Sequence, residues 1–60
     1  MTYDVGDKVY ARDLKWEGVV REIKVWSNGH ESVYVDFPRL LYGVPYAQGS
    51  RKLRKVRAGV

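Results

Sequence analysis

The chain has 60 residues, a net charge of +4 and no cysteine. That length permits one domain and buries only about 60% of the unfolded surface, so the core must be compact, while the lack of cysteine excludes disulfides and thiolate metal sites. A hydrophobic content of 45% suffices for a globular domain, and a pI near 9.6 favours an acidic partner such as nucleic acid or an acidic protein surface.

Residues 8–12 alternate, with Val9 and Ala11 on one side and Lys8, Tyr10 and Arg12 on the other. This predicts a half-buried first strand, with a turn at Gly6-Asp7 ahead of it and a short polar connection after it. Residues 16–26 predict a longer second strand rich in β-branched side chains. Strict alternation fails there, because Val20 and Ile23 lie three positions apart. A β-bulge near Arg21-Glu22 lets both face inward. A helix also suits that spacing, but Gly18, the β-branched run and the lack of an N-cap before Trp16 argue against it.

Asn28-Gly29 between two apolar runs is a strong hairpin signal, since both residues tolerate positive φ. Residues 31–37 return antiparallel, with Val33, Val35 and Phe37 toward the core and Tyr34 and Asp36 away from it. Pro38 ends this strand or begins a bend. Residues 40–42 predict a short fourth strand followed by an irregular loop. Residues 50–56 predict a closing strand anchored by Leu53 and Val56, and 57–60 a loose tail. The expected organisation is one domain over 1–60 with its core at about 5–56. Residues 1–6 lack the charged start and apolar run of a signal peptide. No stretch approaches the ~20 apolar residues of a membrane span. A cysteine-free chain beginning at Met1 reads as a stand-alone cytoplasmic protein.

Five short strands with a long hairpin predict an all-β, five-stranded small barrel. The run Val5-Gly6-Asp7-Lys8-Val9-Tyr10-Ala11-Arg12 resembles the first strand of Tudor, PWWP and related SH3-like barrels. Trp16-Glu17-Gly18-Val19-Val20 is similar to their second-strand entry, Val33-Tyr34-Val35-Asp36-Phe37 to their third strand, and Leu53-Arg54-Lys55-Val56 to their last. The resemblance implies an SH3-like, Tudor-like barrel whose closed sheet hides its edges. The turn Asp36-Phe37-Pro38-Arg39 departs from it by lacking glycine, and the segment from Phe37 to Val56 is similar instead to the longer excursion of the photosystem I E subunit. Such folds host many functions, so function must be argued from residues.

No constellation supports catalysis. Ser27, Ser32 and Ser50 have no evident base, and His30 sits beside the hairpin turn, where exposure is its ordinary state. Asp4 with Asp7 and Glu17 with Glu22 fall at turns or on outward positions. The glycines are too scattered for a phosphate loop. The Val-Gln-Ile-Tyr run of the plasmid-borne dihydrofolate reductase, an SH3-like enzyme, is absent. The expectation is a non-enzymatic binding module with no cofactor or metal.

Acids stop at Asp36, while Arg39, Arg51, Lys52, Arg54, Lys55 and Arg57 follow. Arginine forks of this kind grip phosphate oxygens. The plain alternative is an edge strand kept soluble by charge, although a merely soluble edge usually mixes signs. The expected nucleic-acid surface comprises Tyr10, Arg12, Arg39, Tyr42, Tyr46, Arg51, Lys52, Arg54 and Lys55, with the tyrosines stacking on bases. The Tudor-like resemblance implies a second arrangement, an aromatic cage from Tyr10, Trp16 and Phe37. Packing is the ordinary role of Trp16 and Phe37. Arg21 and Lys24 are expected to pair with Glu22 and Glu31 across the hairpin. The alternative function is a protein-interaction module for an acidic protein surface or a peptide, as in small phage or accessory-subunit barrels. A cage for a cationic methyl-lysine conflicts with a basic surround, so nucleic acid, bound with weak sequence specificity, is preferred.

Overall fold

The computed structural model describes residues 2–56. It is all-β: β1 (Lys8–Ala11), β2 (Trp16–Val25), β3 (Glu31–Asp36), β4 (Val44–Ala47) and β5 (Leu53–Lys55), with no helix among the described residues. One antiparallel sheet runs in the order β4-β3-β2-β1-β5 and curls into a half-barrel around the core. The expected tail, 57–60, and Arg57 with it, lies outside the described residues.

Local chemistry sets each corner. Asp4 to Asp7 form a turn closed by the Asp7 N–H donating to the Asp4 carbonyl at 3.0 Å, with Gly6 at φ +95° supplying a conformation other residues resist. β1 and β2 are joined through Arg12 to Lys15, and Lys15 holds φ 61°, the one positive φ outside glycine among the described residues. The bulge forms where the parity predicts it. Val20 pairs with Val35 and Glu22 with Tyr34, so Arg21 is the extra residue. Val20 is buried and Ile23 packs against the core on the same side.

The hairpin turns through Ser27, Asn28 and Gly29. Gly29 N–H donates to the Trp26 carbonyl at 2.9 Å and Trp26 N–H to the His30 carbonyl at 2.8 Å. Gly29 alone takes positive φ, at +86°. The loop is therefore the three-residue kind that ends on a left-handed glycine, rather than a two-residue Asn-Gly turn. His30 is exposed there. The expected charge pairing across this hairpin does not form. Val25 stands opposite Glu31 and Lys24 opposite Ser32, while Lys24 Nζ lies 4.4 Å from the Trp26 ring centroid.

The fourth strand lies further along the chain than expected. Residues 40–42 form no strand, and β4 contains Pro45. Proline cannot donate to a ladder, so it is tolerated on an edge strand, and β4 is an edge paired only to β3. Pro38 opens a turn closed by Leu40 N–H donating to the Phe37 carbonyl at 3.0 Å, which keeps residues 40–42 off β3. The last strand is also shorter than expected, because residues 51 and 52 belong to the turn before it.

Expected core residues Val9, Ala11, Val20, Val33, Val35, Phe37 and Leu53 are buried, joined by Tyr3 and Tyr46. The two edges, β4 and β5, do not pair with one another. Tyr3 spans the gap between them. Its backbone N–H donates to Gln48 Oε1 at 2.8 Å, its carbonyl accepts from Gln48 Nε2 at 3.1 Å, and its hydroxyl donates to the Leu53 carbonyl at 2.9 Å. Gln48 directly follows β4 and Leu53 opens β5, so one residue links both edges.

Candidate nucleic-acid interface

Side chains alternate across a strand, and residues paired between strands share a face. Tyr10 pairs with Arg54 and Glu17, and Ala11 with Leu53 and Trp16. Ala11 and Leu53 are buried, so Tyr10 and Arg54 point to the outer face and Trp16 inward. The Arg54 guanidinium carbon sits 5.0 Å from the Tyr10 ring centroid. A cation at that distance over an aromatic face is held electrostatically, which fixes the direction of Arg54.

Two further cations join this end of the sheet through the backbone. Arg12 N–H donates to the Lys52 carbonyl at 2.7 Å, so the turn after β1 lies against the turn before β5. That turn is shaped by Ser50, whose Oγ accepts the Lys52 N–H at 3.1 Å. Arg12, Arg51 and Arg54 line one concavity of about 290 Å³, with Tyr3 and Leu53 as its apolar wall and Ser50 as a polar neighbour. None of these three arginines enters an ion pair among the described residues, where the single pair is Lys55 Nζ to Asp7 Oδ2 at 3.5 Å. Glu17, on the same outer face as Tyr10, is the nearest acid in the ladder.

The structure thus gathers Tyr10, Arg12, Arg51, Lys52 and Arg54, and separates the remaining predicted residues. Lys55 follows Arg54 on a strand and so points the other way, to Asp7 and to within 6.0 Å of the Tyr3 ring. Arg39 lies over the Trp16 ring at 5.4 Å. Tyr42 is exposed on the β3–β4 loop, three strands from β5 in the sheet order.

Tyr46 is no stacking platform. It points inward from β4, is 7% exposed, and donates its hydroxyl to Asp13 Oδ1 at 2.9 Å. Burial, the hydrogen bond to Asp13 and the charge of that carboxylate raise its pKa to about 12. The cage also fails. Tyr10 is on the outer face, whereas Trp16 and Phe37 meet inside, edge to face at 6.0 Å, and Phe37 is 1% exposed. A face assignment by strand parity separates them on opposite sides of the sheet.

Sequence reasoning missed Tyr3, Asp13 and Gln48. The signal for Tyr3 was only an aromatic ahead of the first turn in a chain needing every large core residue. Among the described residues no group of acids and histidine is placed to hold a metal, and no helix is long and apolar enough to cross a membrane. Comparisons with protein-family profiles, curated proteins and solved structures find no match to this chain.

Proposed function

We propose that this protein binds nucleic acid, with weak sequence specificity, through the β1–β5 end of its sheet. The observation that carries the reading is the concavity lined by Arg12, Arg51 and Arg54, three cations without ion-pair partners among the described residues. Arginines around a shared concavity supply the planar forks that match the phosphate oxygens of a backbone. Tyr10, half-exposed on the outer face, orients Arg54. Contacts from arginines to phosphate oxygens carry no sequence information, which suits weak specificity. The SH3-like reading of the fold draws support from the strand order, with β1 between β2 and β5. A cytoplasmic setting, where nucleic acid is available, suits a cysteine-free chain.

The test is fluorescence anisotropy with short single-stranded DNA and RNA at several salt concentrations. Affinity should fall steeply as salt rises, with a log–log slope near −0.7 per phosphate contacted. Arg51→Ala, at an exposed turn position, should weaken binding and flatten the slope by about one contact. Affinity that does not change between low and physiological salt would reject nucleic acid and leave an acidic protein surface as the partner.

A further inference from the structure

We infer that the β3–β4 loop and the groove beside it form a self-complementary surface by which two copies of this chain pair. The loop presents an unusual residue. Leu41 is fully exposed and Tyr42 65% exposed. The exposure is imposed by the fold. Pro38 and Arg39 form the turn closed between Phe37 and Leu40, and Leu40 packs against the core. With Leu40 anchored, its neighbour Leu41 is driven outward. Among the described residues only nine hydrophobic side chains are buried, which leaves little apolar surface to spare, and contiguous exposed apolar groups mark interaction sites.

Next to the loop lies a groove of about 520 Å³ whose floor includes Val19, Phe37, Pro38 and Leu40. Val19 is 42% exposed although β-branched and central in β2. The groove therefore offers an apolar floor, and the adjoining loop offers an apolar projection. The charges match in the same sense. Glu17 and Asp36 rim the groove beside the single cation Lys8, while the loop carries Arg39 and no acid.

The projection adjoins the groove through Pro38 and Leu40, which line it, and such a neighbouring pair suits a two-fold axis, because each copy then inserts its projection into the other's groove. In the pair, Leu41 and Tyr42 of one copy cover Val19 and Pro38 of the second, and Arg39 approaches Glu17 and Asp36. A stable interface buries roughly 800 Å² per partner. That is about a sixth of the 4595 Å² that this chain exposes, so the pairing must use the whole loop and the outer row of Lys8, Val19 and Asp36. The groove shares no lining residue with the arginine concavity, and neither proposal depends on the other.

Sedimentation velocity from about 1 μM to about 1 mM tests this. The expected result is a monomer–dimer equilibrium for the natural chain. Leu41→Asp should shift its midpoint at least about tenfold upward in concentration. Since Leu41 makes no buried contact, the variant should keep the natural melting curve at low concentration. Val19→Lys, on the groove side, should act the same way. A natural chain that stays monomeric throughout, a Leu41→Asp variant that dimerises as before, or growth into open-ended assemblies would each overturn the proposal.

Discussion

A Cβ added at Gly18 would lie 2.7 Å from Val35 Cγ1, 2.8 Å from the Asp36 carbonyl oxygen and 2.8 Å from Phe37 Cδ1. The Asp36 oxygen is backbone within a paired strand and cannot retreat. In an ordinary strand interior, alanine for glycine gains roughly 0.5–1 kcal/mol from chain entropy. Here overpacking of about 1–3 kcal/mol opposes it. Gly18→Ala should therefore lower the denaturant midpoint, and a raised midpoint would show that the close approach is absent. Tyr46 supplies a pH-dependent counterpart. Its phenol titrates at about 12 in the fold against an ordinary 10. Below pH 10 it is neutral in both states and its contribution is whole. Between 10 and 12 the unfolded chain releases the proton first, so stability falls as pH rises. The stability gap between the natural chain and Tyr46→Phe should narrow across that window, as read from denaturant midpoints at each pH. A constant gap would mean that burial and the Asp13 contact together do not hold the phenol neutral.

At the scale of elements, legibility followed whether the deciding information was local. The break in parity between Val20 and Ile23 placed a bulge near Arg21-Glu22, because a bulge lets a period-2 pattern absorb one extra residue, and the register makes that residue Arg21. The hairpin was equally legible from Gly29. β4 was not. Pro45 and Gly43 read as loop signals, and only the edge position of the strand, a property of the whole sheet, makes Pro45 acceptable. That one displacement propagated to the site. Once residues 44–47 are a strand, alternation puts Val44 and Tyr46 on the core side, and Tyr46 leaves the list of exposed aromatics. The basic end was half legible for the same reason. Composition showed the run of cations after Asp36, but alternation on β5 sends Arg54 and Lys55 apart, and only the pairing of β5 with β1 brings Arg12 beside Lys52.

The whole molecule is an open sheet held shut by a residue outside it. β4 and β5 share no ladder, and exposed edges of this kind are usually covered or blunted. Gln48 supplies the cover by clamping both backbone polar groups of Tyr3, whose ring is 2% exposed and whose hydroxyl reaches Leu53. At roughly 0.05–0.15 kcal/mol per residue, a chain of 60 residues has little stability in reserve. Replacing Gln48 by alanine removes two hydrogen bonds to Tyr3, each contributing about 0.5–1.5 kcal/mol. For a domain of this size 1 kcal/mol corresponds to a melting shift of about 4–8 °C. Gln48→Ala should therefore melt at least about 4 °C lower. Amide exchange should locate the effect, with Tyr3 exchanging faster than in the natural chain by more than global destabilisation accounts for, and the β2–β3 amides following the global change alone. The Tyr3 ring also walls the arginine concavity, so the same substitution should weaken oligonucleotide binding although it removes no positive charge. Unchanged melting with unchanged Tyr3 exchange would mean that the Tyr3 ring and its hydroxyl bond to Leu53 hold the edges without Gln48.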